Sequence, residues 1–232
     1  MLKHTLAILT LAALVGTPAH AIGKRKEAAA EATAPADPTS AGVYAPVNYD
    51  LTQDRENILV LDLSNGQRVQ IRLMPQWAPE HVARVKELAR QGFYNNVIFH
   101  RVIDGFMAQT GDPTGTGQGG SQLADLKAEF NPQPHLRGTV SMARAASDDS
   151  ANSQFFIVFY PRFSLDKKYT VFGRVIDNMA AVDAIQRGEP PENPTRIVQA
   201  SLASEDKPVP AITAPPPQPA ITADDLNRPM GQ

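Results

Sequence analysis

The 232-residue chain has no cysteine, which excludes disulfides, thiolate catalysis and cysteine-held zinc. An excess of charge of either sign is also missing: 22 Lys+Arg stand against 24 Asp+Glu, for a net charge of −2. Without a broad basic field to gather phosphates or anionic lipid, the composition argues against nucleic-acid and membrane-surface roles. Long hydrophobic runs are absent as well. The longest, from Leu6 to Val15, is too short to cross a bilayer as a helix. With Lys3 and His4 before it and the small-residue cleavage site Ala19-His20-Ala21 after it, residues 1–21 read as a signal peptide. We expect an exported chain with no membrane insertion after cleavage, periplasmic as first choice and secreted as second.

Aromatic residues are scarce at both ends. All nine Phe, the single Trp77 and three of the five Tyr fall between positions 77 and 172. Residues 22–45 are rich in Ala and Pro and read as a flexible linker, and residues 205–232, with seven Pro, as a disordered tail. That leaves 46–204 as one domain. Eight strand-like runs mark it: Ile58 to Leu63, Arg68 to Met74, Val97 to Val102, Phe106 to Thr110, Thr139 to Met142, Phe155 to Phe159, Val171 to Val175 and Arg196 to Leu202. Asn65-Gly66 between the first two is a hairpin signal, because both turn positions need a positive φ. Helical patterns cover only Pro79 to Gln91 and Met179 to Arg187, the second capped by Asn178. We expect a mostly β fold, a closed eight-stranded antiparallel β-barrel capped by two α-helices, since closure removes exposed edges.

Most chemical motifs fail within this frame. Gly115-Thr-Gly117-Gln-Gly119-Gly120 has neither a helix directly behind it nor a Lys-Ser/Thr pair, so it reads as a flexible loop and not a phosphate cradle. The five His show no metal-ligand spacing, and no Gly-x-Ser-x-Gly surrounds Ser141 or Ser153. What stands out is Arg101, in the run Val97-Ile98-Phe99-His100-Arg101-Val102-Ile103, where five of seven positions are apolar. From this run alone two readings stand side by side: a functional cation, or one that reaches solvent along its stem or pairs with an acid. Gln109, beside Phe106 and Met107, and Gln154, beside Phe155 and Phe156, interleave amides with apolar side chains, a pattern suited to a shallow apolar pocket rimmed by donors.

At these residues the chain resembles a family. Phe99-His100-Arg101, Gly105-Phe106-Met107-Ala-Gln109, Gly138-Thr-Val-Ser141-Met142-Ala143, Ser153-Gln154-Phe155-Phe156, Leu165-Asp166 and Val171-Phe172-Gly173 are similar, in order and spacing, to the successive signatures of the cyclophilins. With the export signal, the resemblance extends to the periplasmic members of Gram-negative bacteria. It covers about residues 55 to 202 and implies a peptidyl-prolyl cis-trans isomerase needing no metal, cofactor or covalent intermediate. It further implies that Arg101 donates a hydrogen bond to the prolyl nitrogen, and that Gln109 and Gln154 orient the guanidinium and the substrate backbone. Phe106, Met107, Phe156 and Leu165 would form the proline cup with Tyr169 at its rim. Main-chain groups near Ala143 and Arg144 would hold the residues before proline.

The chain departs from the family pattern where Ser164 takes a common Trp position and Tyr169 a common His position, so the pocket rim is changed. A simple two-residue turn at Asp104-Gly105 would also put Arg101 and Phe106 on one face and Met107 and Gln109 on the other, so a bulge or wider turn is required. The expected partners are proline-containing stretches of unfolded or flexible exported proteins, met by a monomer. The alternative is a proline-peptide holdase or adaptor of the same fold with incidental turnover.

Overall fold

The computed structural model describes residues 42–211. The expected signal peptide, most of the expected linker and the tail from 212 onward lie outside the described residues. Eight strands follow in chain order: β1 (Ile58–Leu63), β2 (Arg68–Leu73), β3 (Arg101–Ile103), β4 (Met107–Thr110), β5 (Thr139–Met142), β6 (Phe155–Val158), β7 (Val171–Asp177) and β8 (Ile197–Leu202). Two helices, α1 (Pro79–Arg90) and α2 (Met179–Asp183), and three single-turn 3₁₀ segments complete the elements. All pairings are antiparallel, in the order β3-β4-β6-β5-β7-β2-β1-β8. Register shifts at Asp62/Leu63, Gln70/Ile71 and Val140/Ser141 bend the strands, as bulges do.

The expected closed barrel is an open half-barrel, with β3 and β8 as its two edges. The reason lies in the run read as one strand, Val97 to Val102, of which only the last two residues enter a ladder, as the start of β3. Upstream, Phe99 N–H donates to Thr195 O and Ile197 N–H to Val97 O, both at 2.9 Å, with a single bridge between Ile98 and Arg196. From Arg101 onward the chain pairs with β4 instead. One apolar run is thus divided between two partners, and His100 lies buried at the division with neither ring nitrogen bonded. The second helix is also shorter than expected, ending at Asp183; Asn178 caps it, its side chain accepting from Ala181 N–H at 3.2 Å.

Helix α1 shows why its sequence folds as it does. Pro79 fills the first turn, where no N–H is needed, and Val82, Val85, Leu88 and Ala89 are buried along one face against the sheet. Its first amides find a distant cap, since Glu80 and His81 N–H donate to the Glu129 carboxylate at 3.2 and 3.1 Å. On β2, Arg72 is 2% exposed and its guanidinium donates to the carbonyls of Asn48, Asp50, Gln53 and Asp54, tying the entering chain to that strand. Past β8, Arg68 donates to Lys207 O and Gln199 to Pro208 O, so the first residues of the expected tail are held against β2 and β8.

Strand alternation divides the side chains of β3 to β6 between two environments. Val102, Ala108, Val140, Met142, Phe155 and Ile157 enter the main core with α1. Their neighbours Ile103, Met107, Ala143, Phe156 and Val158 form a second, smaller cluster on the opposite face.

Candidate active site

The second cluster is where the nominated residues meet. Cross-strand register sets Arg101 opposite Gln109, Gln109 opposite Phe156, and Phe156 opposite Ser141, one row across β3, β4, β6 and β5. The next row places Ile103 opposite Met107 and Met107 opposite Val158. This register needs a wide turn between β3 and β4, because the pairing of Ile103 with Met107 leaves Asp104, Gly105 and Phe106 unpaired. Gly105 supplies the left-handed position at φ 66°, and Phe106 N–H closes the turn on Ile103 O at 3.1 Å. The extra residue brings Arg101, Met107 and Gln109 to one face, with Phe106 joining them from the turn.

A cavity of about 130 Å³ lies on this face, lined by Arg101, Phe106, Met107 and Gln109 from the β3–β4 hairpin, Phe156 from β6, Ala143 and Arg144 after β5, and Leu165 and Tyr169 from the loop before β7. It is smaller than the ~300–1,000 Å³ that encloses a cofactor or drug-sized ligand, and suits a single small ring. Phe156 and Tyr169 meet edge-on with centroids 5.6 Å apart. Arg162 covers the Phe106 ring at 4.7 Å and Arg144 the Tyr169 ring at 4.9 Å. Phe163, beside the departure at Ser164, is 63% exposed and is not among the lining residues.

The tenth nominated residue, Gln154, lines an adjoining groove of about 490 Å³ that shares Gln109, Ala143 and Arg144 with the cup. Its floor is the glycine-rich segment, which is anchored and not the flexible loop the sequence suggests. Asp112, fully buried, accepts from Thr114 N–H at 2.8 Å, Gly117 N–H at 2.7 Å and Gly119 N–H at 3.1 Å. Burial alone would raise the Asp112 carboxyl, but the Thr114 hydroxyl, which donates to Oδ1 at 2.7 Å, and these amides together outweigh it and hold its pKa at about 2. At Gly119 a β-carbon would fall 2.2 Å from Asp112 Oδ1, so the wrap needs glycine there.

The polar residues divide their work differently from the expectation. Gln109 Nε2 donates to Gln154 Oε1 at 2.8 Å, and Gln154 Nε2 donates to Gly117 O and Gly119 O at 3.0 and 2.8 Å. The two amides therefore brace each other and the groove floor, and neither bonds the Arg101 guanidinium. That group is held by Glu189, with Nε–H donating to Oε2 at 2.7 Å. Sequence reasoning missed Glu189; the available signal was an acid in the Gly188-Glu189-Pro190-Pro191 turn after α2. The main-chain groups also separate. Ala143 N–H is engaged by Gln154 O at 2.9 Å, whereas the backbone N–H and C=O of Arg144 have no partner among the described residues. The Arg144 side chain donates to Lys168 O at 3.2 and 3.1 Å and pairs with Asp148 at 2.9 Å, closing the loop after β5 over Tyr169.

Behind the cup lies a buried relay: Ser141 Oγ is 2.9 Å from His135 Nε2, and His135 Nδ1 is 2.8 Å from Asp166 Oδ1. The residue types match a hydrolytic triad, but Ser141 and His135 are 0% exposed, so no scissile carbonyl reaches the hydroxyl. The relay has a mechanical use. His135 stacks on Phe156 with centroids 6.2 Å apart, and Asp166 follows Leu165, so two walls of the cup rest on one bonded chain.

Residues 58–202 match the family model described as cyclophilin type peptidyl-prolyl cis-trans isomerase/CLD. A probable peptidyl-prolyl cis-trans isomerase of Brucella suis is 46% identical over 170 residues, covering 66% of this chain and 86% of the relative. Among solved structures, a cyclophilin from Hirschia baltica aligns with a TM-score of 0.60 and 29% identity, over 66% of this chain and 76% of its own. A cyclophilin-type isomerase of Cryptosporidium parvum, solved in the presence of the dipeptide Ala-Pro, aligns with a TM-score of 0.58 and 28% identity, over 62% of this chain and 98% of its own.

Proposed function

The chain belongs to the cyclophilin-type peptidyl-prolyl cis-trans isomerases, and from that premise we propose that it turns X-Pro bonds in exported polypeptides, with Arg101 as the donor that lowers the barrier. The carrying observation is that nine of the ten nominated residues line one small cavity. The presence of the dipeptide Ala-Pro in the structure of the similar Cryptosporidium parvum isomerase supports a proline-containing ligand for this chain.

The chemistry follows from the amide. Partial double-bond character sets a rotation barrier of about 18–20 kcal/mol, while an X-Pro bond prefers trans by only about 0.5–1 kcal/mol. At the twisted midpoint the nitrogen lone pair leaves conjugation and becomes a hydrogen-bond acceptor. A guanidinium N–H aimed at it stabilises the midpoint and neither planar isomer, so its binding energy acts on the rate. Phe106, Met107, Phe156, Leu165 and Tyr169 grip the ring. The free backbone N–H and C=O of Arg144 hold the residue before proline, and the adjoining groove receives the chain further upstream. The chain then pivots about one bond. We place its action in the periplasm, on unfolded or flexible clients and as a monomer; the signal-like residues 1–21 support the export.

Refolding of a protein limited by proline isomerisation tests this reading. Arg101→Ala should lower kcat/KM by about 10²- to 10³-fold, as loss of one preorganised transition-state donor does, while proline-peptide affinity falls far less. Equal rates for variant and wild type would remove Arg101 from the mechanism and favour a holdase.

A further inference from the structure

Among the described residues the Arg101 guanidinium has a single hydrogen-bond partner, Glu189, at 2.7 Å. The side chains are 42% and 52% exposed, and an ion pair so exposed adds little to stability, because water screens it and two long side chains lose freedom. This pair differs from an ordinary surface pair in how its acid is held. Gly188 N–H donates to Val102 O at 2.9 Å and Val102 N–H to Gly188 O at 2.8 Å, one antiparallel bridge on the outer edge of β3. The bridge fastens the residue before Glu189 to the residue after Arg101. Gly188 sits at φ 143°, and a β-carbon there would lie 2.6 Å from Pro191 Cα, so the turn accepts only glycine at that point. The backbone bridge therefore holds Glu189 and Arg101 as neighbours, so that the carboxylate stands within reach of the guanidinium.

The bonded nitrogen matters as well. Nε is the inner nitrogen of the planar fork, so a bond there fixes the plane while both terminal Nη groups keep their protons for another acceptor. We propose that Glu189 is a positioning residue for the isomerisation: it orients the Arg101 guanidinium at the rim of the cup so that a terminal N–H meets the prolyl nitrogen in the twisted state. The inference rests on the reading of Arg101 given above. It replaces Gln109 and Gln154 in that orienting task, since those amides bond each other and the groove floor. A donor held in place costs no reorganisation as the lone pair develops, which is where such geometry acts on rate.

The test measures kcat and KM for a proline peptide by NMR exchange in the full chain and in Glu189→Gln, Glu189→Asp and Glu189→Ala, each with and without Arg101→Ala. Gln keeps the reach and an acceptor oxygen; Asp keeps the charge but is one methylene short. Glu189→Ala and Glu189→Asp should lose about tenfold in kcat with KM within about twofold, and Glu189→Gln should stay within about threefold of wild type. On the Arg101→Ala background all three should be without effect. The Arg101 Nε–H resonance, assigned by its loss in Arg101→Ala, should exchange with water about tenfold faster in Glu189→Ala. Unchanged or raised kcat in Glu189→Ala and Glu189→Asp, with turnover lost in Arg101→Ala, would overturn the positioning role and leave the Arg101 reading intact. A loss that persists on the Arg101→Ala background would mark a structural effect and overturn it too. Full turnover in Arg101→Ala would instead overturn the reading beneath it. Should Glu189→Ala fail to fold, Glu189→Asp carries the same decision.

Discussion

Phe155 and Phe156 are adjacent on β6, chemically identical and almost equally buried, at 0% and 4% exposure, yet they belong to different halves of the molecule. Phe155 packs edge-on against Tyr94 and Phe172, with centroids 5.5 and 6.1 Å away, inside the cluster that includes α1. Phe156 meets Tyr169 and His135 on the opposite face, as a wall of the cup. The pleat of a strand is the whole cause of the difference. Fold and site share the strands β3 to β6 but divide their side chains, so the core face can be rigid while the site face stays open to a peptide.

The largest effect should come from breaking the core face. Phe155→Ala removes a ring from a closed cluster and should cost about 3–5 kcal/mol in chemical denaturation, leaving any folded fraction with near-normal peptide affinity. Phe156→Ala should reverse the pattern: a cost under about 2 kcal/mol, because the cup wall can relax toward solvent, and about tenfold weaker binding of a proline peptide in an NMR titration. Equal destabilisation by both variants, with equal loss of binding, would show that the two faces are not separable.

That separation was only partly legible in the sequence. The alternation that puts Phe155 inward and Phe156 outward is a period-two pattern, whereas the residues of the cup were implied by the resemblance of their motifs to the cyclophilin signatures. The wide turn at Asp104-Gly105-Phe106 was legible as a necessity, since a two-residue turn contradicts the required facing, but its form came from the register of Ile103 with Met107. The division of Val97 to Ile103 between β8 and β4 was not legible, because an apolar run carries no sign of a change of partner. The anchoring of the glycine-rich loop was hidden for a similar reason: glycine spacing signals freedom, whereas the order comes from the single carboxylate of Asp112. Glu189 was missed because the contact joins residues 88 positions apart.

The smallest expected effect separates stability from chemistry by pH. Burial is the first cause that lowers the pKa of His81, His100 and His135, against opposing pulls from Glu129, Asp112 and Asp166 respectively. Their folded values thus lie below the unfolded 6.5, and in the interval between the two the unfolded chain binds more protons. Stability is then complete above that value and declines as pH falls below it. The carboxylates act lower down: Asp112 and Glu56 are held at about 2 from ordinary values of 3.8 and 4.5, so their contribution is present above those values and lost in stronger acid. Between pH 7.5 and 5.5 the melting temperature should therefore drift modestly downward through the histidines alone. His135→Gln, which cannot titrate, should flatten the drift by the share of the one histidine that stacks on the cup wall. The intrinsic turnover of folded enzyme should stay level over the same range, because an arginine donor remains protonated throughout. A melting temperature that is flat in this window would mean that the buried imidazoles bind protons as readily in the native state as in the unfolded chain. A turnover that falls with the melting temperature would tie the cup to the core more closely than the pleat of β6 allows.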